Sequence, residues 1–124
     1  DMKFVDLGCG DGRVIFGVNR MYKCLTVGYE ISPVVLMIAK LKKMFLAPFN
    51  KNVNIKEGSF FNTNLSTYDV IYCCLPEDVL SNLEKKFSKE LKKGSRVYIY
   101  KSKLPKKKGK EIEIGDALVY QHTY

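Results

Sequence analysis

The fold class follows from one run of eight residues, Asp6-Leu7-Gly8-Cys9-Gly10-Asp11-Gly12-Arg13. The apolar run Lys3–Leu7 before its first glycine is typical of a buried parallel strand. The segment Asp11–Arg20 after it carries apolar residues at helical spacing. Glycines remove side chains, so a ligand can approach the main chain closely. Because open α/β sheets bind ligands between a strand and the following helix, this loop is the predicted binding site.

The rest of the chain alternates strand-like runs with helical patterns. We predict strands over Cys24–Tyr29, Val53–Lys56, Asp69–Cys74 and Val97–Tyr100. Helices are predicted from Ser32 to about Ala47 and from Pro76 to about Lys92, whereas Gly58–Thr67 is expected to be a loop. The order predicts an α/β fold, a three-layer Rossmann-like sandwich with a mostly parallel seven-stranded sheet.

The C-terminal part differs from this alternation. A lysine-rich turn, Lys106–Lys110, separates the strand-like runs Arg96–Leu104 and Glu111–Ile114. A second turn at Gly115-Asp116 leads into Ala117–Tyr124. We therefore expect an antiparallel hairpin at the C-terminal edge of the sheet.

Length and composition bound the interpretation. The 124 residues fit one domain, 1–124, and no apolar run is long enough to span a bilayer. The first strand begins almost at Asp1, so we expect that an upstream N-terminal segment is missing. The cysteines, with no C-x-x-C pair and one histidine in the chain, predict no metal site and are typical of reduced thiols in a cytoplasmic protein.

Positive charge is concentrated in one segment of a chain whose net charge is +8. From Glu84 to Lys110 there are twelve Lys or Arg and two Glu. Such an excess favours an anionic partner: RNA, an acidic protein surface, or the periphery of an anionic membrane. The alternative is that these lysines only solvate a helix and a hairpin. The oligomeric state is not predicted by the sequence.

The spacing of the glycines selects the ligand class. Dinucleotide-binding loops read G-x-G-x-x-G, whereas this loop reads G-x-G-x-G with Asp6 two places before the first glycine. A carboxylate there would repel a pyrophosphate but would face an ammonium group, while main-chain N–H groups take a carboxylate. S-adenosylmethionine has such an amino-acid end. The predicted cofactor contacts from this loop are Asp6, Gly8, Cys9, Gly10, Gly12 and Arg13.

Residues that follow the next three strands complete the predicted cofactor site. Glu30, at the end of the second strand, is placed to accept hydrogen bonds from both ribose hydroxyls, although a solvent-exposed strand end is the simpler alternative. Ser59 and Phe60, in the loop after the third strand, and Ile31 are predicted to lie beside the adenine. Cys74 and Leu75, after the fourth strand, are predicted to face the methyl group.

These motifs, in this order, resemble the class I S-adenosylmethionine-dependent methyltransferases over nearly the whole chain. The combination of DLGCGDGR with Gly28-Tyr29-Glu30-Ile31-Ser32-Pro33 and Leu75-Pro76 is most similar to a group of short protein-lysine methyltransferases. That group includes mitochondrial enzymes acting on inner-membrane proteins and has prokaryotic relatives. The resemblance implies S-adenosylmethionine as cofactor and a protein lysine as methyl acceptor.

The catalytic group is the least defined part of the prediction. Glu77 and Asp78, just after the fourth strand, are candidates to orient or deprotonate a lysine amine, but helix N-termini also favour acids for electrostatic reasons alone. The fourth strand ends Cys-Cys-Leu-Pro, without the Asn/Asp-Pro-Pro-aromatic signature of methyltransferases acting on nucleic-acid amines. An RNA methyltransferase and a non-catalytic cofactor-binding module remain the alternatives.

Overall fold

A computed structural model describes all 124 residues as seven strands and three helices. The strands are β1 (Lys3–Leu7), β2 (Leu25–Glu30), β3 (Val53–Glu57), β4 (Val70–Cys73), β5 (Arg96–Tyr100), β6 (Lys110–Ile114) and β7 (Ala117–Thr123). The helices are α1 (Arg13–Tyr22), α2 (Pro33–Leu46) and α3 (Glu77–Glu90). None of these helices is long and apolar enough to cross a membrane.

The strands form one sheet in the order β3-β2-β1-β4-β5-β7-β6. The pairs from β3 to β5 are all parallel, whereas β7 is antiparallel to both β5 and β6. The strand order reverses between β1 and β4, which is the topological switch point where α/β sheets bind ligands. The predicted Rossmann-like sheet with an antiparallel C-terminal edge is therefore confirmed.

Side chains alternate between two faces of the sheet, and each face has its own core. Val5 and Leu7 point toward α3 and join the larger core of thirteen residues, which includes Leu80, Leu83 and Phe87 of that helix. Phe4 lies on the opposite face, where it packs with a smaller core that includes Ile15 of α1. This alternation explains why strands with few polar residues are covered on both sides and form the predicted three layers.

Two local predictions need correction. Helix α1 begins at Arg13, not at Asp11, because Gly12 adopts a left-handed conformation (φ +86°) that a helix cannot continue. The lysine-rich segment is not the turn of a hairpin between β5 and β6, since β7 inserts between those two strands. Instead, residues 101–109 cross over α3, where the carboxylate of Glu84 accepts hydrogen bonds from the N–H groups of Lys106 and Lys107.

Candidate functional site

The glycine loop, Gly8–Gly12, is held against the end of β2. The N–H groups of Gly8 and Cys9 both donate to the carbonyl of Tyr29, at 2.9 and 2.8 Å. Gly8, Gly10 and Gly12 all have positive φ, between +58° and +86°, which side-chain-bearing residues rarely adopt. A Cβ on Gly10 would meet nothing within 4 Å, so the outer side of the loop is open to a ligand.

Glu30 connects this loop to the start of α2. Its Oε1 accepts a hydrogen bond of 2.9 Å from the Gly10 N–H, and its Oε2 accepts bonds of 3.0 Å from the N–H groups of Ile31 and Ser32. The ionised carboxylate has about four lone-pair positions, and three are used here. Glu30 is therefore an organising residue of the loop as well as a candidate ligand contact.

Asp6 lies beneath the loop and is buried, with 2% of its surface exposed. Its Oδ1 has no hydrogen-bond partner. Burial, together with the nearby charge of Glu30, raises the pKa of Asp6 to about 7. A buried carboxyl oxygen without a partner is costly in the free protein, and a cationic ligand group would relieve that cost.

The segment after β3 reaches the same region. Gly58 donates its N–H to the carbonyl of Glu30 at 3.2 Å, which places it beside the ribose-side candidate. Ser59 caps a 3₁₀ turn, Phe60–Asn62, by accepting a hydrogen bond from the N–H of Phe61. The predicted loop therefore contains one short turn. Phe60 packs partly on the larger core, whereas Phe61, which we did not predict, is exposed beside it.

The end of β4 closes the other side of the site. A Cβ at Gly8 would lie 3.4 Å from the Leu75 side chain, so this leucine is next to the glycine loop. Cys74 is exposed, whereas Cys73 is buried and burial raises the pKa of its thiol. Glu77 and Asp78 form the exposed first turn of α3. These contacts bring together the glycine loop, Glu30, Gly58 and Leu75, and Asp6 lies near enough to Glu30 for its charge to raise the pKa of Asp6.

The side chain of Arg13 is engaged in an ion pair. Its guanidinium, 80% exposed, forms an ion pair of 3.2 Å with Asp11, whose carboxylate also binds Lys42 at 3.1 Å. These cations hold the pKa of Asp11 well below its usual range. Asp11 also accepts the N–H of Arg13 and so completes the turn that starts α1. The structure gives the Arg13 side chain this ion-pairing role, with a partner that was not among the predicted site residues.

Gly28 was absent from the predicted site residues although it shapes the loop. A Cβ at Gly28 would lie 2.7 Å from both the Cβ and the sulfur of Cys9, a distance that real contacts do not show. Cys9 is accordingly buried against β2, and burial, with the charge of Asp6, raises the pKa of its thiol to about 12. The signal in the sequence was a glycine inside an otherwise apolar strand, which marks close approach of another segment.

Solved structures share this fold. A Salinibacter ruber RNA methyltransferase, crystallised with S-adenosylhomocysteine, superposes with a TM-score of 0.90 at 24% identity, covering 98% of this chain and 80% of that one. The protein PKMT2 of Rickettsia typhi, also with bound S-adenosylhomocysteine, superposes with a TM-score of 0.65 at 24% identity, covering 84% of this chain and 22% of that chain.

Sequence comparison defines the family. Residues 6–111 match the ANTKMT methyltransferase domain, and the chain belongs to this family. A protein-lysine N-methyltransferase of Saccharolobus islandicus is 36% identical over 98 residues, covering 74% of this chain and 57% of the relative. The adenine nucleotide translocase lysine N-methyltransferase of Mus musculus is 30% identical over 103 residues, which cover 83% of this chain and 44% of the relative. The chain thus spans about half the length of these curated relatives, and the resemblance found in the sequence is confirmed.

Proposed function

We propose that this chain binds S-adenosylmethionine and transfers its methyl group to the side-chain amine of a lysine in a protein. The observation that carries the cofactor is the Asp6 carboxyl group, buried beneath the glycine loop with one oxygen lacking any partner. An ammonium group is the ligand that such a carboxyl group favours. The amino-acid end of the cofactor supplies that group together with a carboxylate suited to main-chain N–H donors.

The other predicted contacts fit the remaining parts of the cofactor. Glu30 retains acceptor capacity for a ribose hydroxyl after its three main-chain bonds. Ile31, which is exposed, and Phe60 offer apolar surface suited to an adenine ring, and Ser59 adds a hydroxyl group beside Phe60. Leu75 and Cys74, at the switch point, would flank the methyl group. The open space outside Gly10 leaves room for the cofactor along the loop.

When bound, the cofactor supplies a methyl group on a sulfonium, an activated carbon with a neutral leaving group. The protein then has to align the acceptor and to hold a lysine amine in its neutral form. Glu77 and Asp78 are the acids nearest in sequence to the predicted methyl position, and both are exposed at the start of α3. We assign them to orienting the incoming amine and to accepting its proton.

The choice of a protein lysine rests on the family. Both curated relatives are named as lysine N-methyltransferases. One name specifies protein lysine, and the other specifies the adenine nucleotide translocase. The alignments with these relatives cover 74% and 83% of this chain. The acceptor class is therefore inferred from descent, whereas the cofactor is inferred from the residues of the site.

RNA is the second candidate acceptor, and one observation favours it. A polar cleft of about 720 Å³ between α3 and the 101–109 segment is lined by Lys85, Lys89, Lys106 and Lys107. None of these four lysines forms an ion pair with an acid. Phosphates would neutralise this charge, and the resulting affinity would fall steeply with salt.

Calorimetric titration with S-adenosylhomocysteine tests the cofactor. We expect saturable binding by the wild type, weaker binding by Glu30→Ala, and no heat with NADH. Glu57→Ala is the matched control, because Glu57 lies opposite Glu30 in the β2–β3 register and is exposed. If S-adenosylhomocysteine gave no binding, or if the two variants bound equally well, the proposed site would be wrong.

The acceptor needs a separate assay. The chain is incubated with methyl-labelled S-adenosylmethionine and either a protein extract or total RNA, and the labelled product is hydrolysed and identified. Methyllysine is the expected product, and its loss in Glu77→Gln with Asp78→Asn would support the assigned role of these acids. Label in nucleotides alone would replace the protein acceptor by RNA, and binding without transfer to either would indicate a non-catalytic module.

A further inference from the structure

The outward side of α2 is apolar along its whole length. We call this surface the α2 crest, and its large side chains are all exposed. They are Val34, Met37, Ile38, Leu41, Met44, Phe45 and, just beyond the helix, Phe49. Phe45 is 80% exposed and Phe49 is 93% exposed. At helical spacing, the crest residues within α2 project into an arc of about 120°, opposite the buried Leu36 and Ala39.

The residues around the crest are basic. Lys40 and Lys42 project on the two sides of the apolar arc, and no Asp or Glu occurs between Ile31 and Lys56. Lys42 pairs with Asp11 of the glycine loop, whereas Lys40 forms no ion pair. At the C-terminal end of the helix, Arg20 and Lys23 line the same cleft as Leu46. An apolar strip bordered by cations, with no acid on its own segment, has the charge that an anionic surface complements.

We propose that the α2 crest lies on an anionic lipid bilayer, in the plane of its interface. With 14 residues, α2 is about 21 Å long, too short to span the hydrocarbon core but long enough to embed one side. The crest is a convex ridge of Phe, Met, Leu, Ile and Val with lysines at its border. Protein interfaces are depleted in lysine, whereas lysines beside an apolar helix face pair with lipid phosphates.

With the α2 crest on the bilayer, the orientation of the candidate site relative to the membrane surface would be fixed. Ile31, which is 69% exposed, connects Glu30 of the site to the first turn of α2. The carboxyl edge of the sheet would thus open beside the bilayer surface, where a membrane-bound partner is within reach. The membrane contact itself does not depend on the proposed methyl transfer, because it uses a different surface of the same helix layer.

Vesicle sedimentation with the full chain tests this contact. We expect the protein to partition onto vesicles in which about a quarter of the lipid is phosphatidylglycerol, and more weakly onto pure phosphatidylcholine. Phe45→Ser with Phe49→Ser should lower the partition coefficient on anionic vesicles by about tenfold or more, because two exposed aromatic anchors are lost. Lys40→Glu should reduce binding to anionic vesicles while leaving binding to neutral vesicles nearly unchanged.

Two matched controls separate this surface from the rest of the chain. Ile114→Ser removes an exposed apolar side chain on β6, and Lys85→Glu with Lys89→Glu reverses charge in the polar cleft beside α3. The α2 variants must keep the thermal unfolding midpoint of the wild type, as expected for exposed positions. The proposal fails if no variant of α2 alters partition, if the α3 variant alone abolishes it, or if sedimentation equilibrium shows instead a dimer that Phe45→Ser dissociates.

Discussion

The Oε1 of Glu30 accepts a hydrogen bond of 2.9 Å from the N–H of Gly10, twenty residues earlier in the chain. The same carboxylate receives the first two N–H groups after β2, those of Ile31 and Ser32. One side chain therefore links the glycine loop to the entry of α2. The residue expected to bind the ribose also holds the loop that is expected to receive the rest of the cofactor.

Replacement of Glu30 tests this double role. Glu30→Gln keeps the shape but loses the charge and one acceptor oxygen, so we expect a loss of unfolding free energy of about 1–3 kcal/mol. We also expect affinity for S-adenosylhomocysteine to fall by about tenfold or more, since a charged hydrogen-bond acceptor is lost. Urea unfolding and calorimetry measure the two effects. Unchanged stability with lost affinity would restrict Glu30 to ligand contact.

Asp6 makes stability depend on pH in an unusual direction. Its folded-state pKa of about 7 lies above the ordinary value of 3.8, so the folded protein retains a proton that the unfolded chain releases. The stabilising contribution is therefore complete below the unfolded pKa and is lost as pH rises toward 7. The raised pKa corresponds to a loss on the order of 4 kcal/mol across this window.

Asp6→Asn removes this titration while nearly preserving the shape of the side chain. We expect the variant to be more stable than the wild type at pH 8 and to have little advantage at pH 4, where Asp6 is partly protonated in the unfolded chain as well. It should also bind S-adenosylhomocysteine more weakly, because the ammonium loses its anionic partner. Guanidinium unfolding at both pH values checks the first statement. Equal pH slopes for both proteins would show that Asp6 is ionised in the folded state.

His122 acts in the opposite direction. It is buried, with neither ring nitrogen hydrogen-bonded, and burial lowers its pKa below 6.5, with help from the charge of Lys107. As pH falls below 6.5, the unfolded chain binds a proton before the folded protein does, so stability decreases. We expect this loss between pH 6.5 and 5, most clearly in the Asp6→Asn background. His122→Asn should abolish it, and a persistent slope would assign it to another group.

The sequence predicted the parts of the fold that depend on local pattern. Apolar runs located all five parallel strands, and the glycine loop located the switch point. The partner of β5 was not predictable, because pairing with β7 rather than β6 depends on contacts distant in the chain. The path of the lysine-rich segment likewise depends on the hydrogen bonds that Glu84 accepts from Lys106 and Lys107. In the sequence, Glu84 looks like an ordinary surface charge on a helix.

The candidate site, like the fold, was predicted from the sequence only where local pattern determines it. Glycine spacing predicted where the loop lies, but the main-chain bonds of Glu30 and the ion pair of Arg13 with Asp11 depend on side-chain directions that spacing does not determine. Gly28 was missed because its importance arises from Cys9, nineteen residues earlier, packing against its Cα. Such contacts are set by the approach of two segments rather than by either segment alone.

Gly28→Ala tests that packing. The added Cβ would lie 2.7 Å from the Cβ and sulfur of Cys9, and that Cβ cannot move unless the glycine loop moves. We expect destabilisation of about 1–3 kcal/mol, as for overpacking in a core, together with weaker binding of S-adenosylhomocysteine. Gly17→Ala is the matched control, because a Cβ there meets nothing within 4 Å and Gly17 lies inside α1.

The control should change in the opposite direction. Alanine is favoured over glycine in a helix interior by up to about 1 kcal/mol, so Gly17→Ala should raise the thermal unfolding midpoint. Cys9→Ala combined with Gly28→Ala should recover part of the lost stability, because the sulfur that the new Cβ meets is gone. If the double variant were as unstable as Gly28→Ala alone, the cost would arise from the Cβ at position 9, which Cys9→Ala retains, rather than from the sulfur.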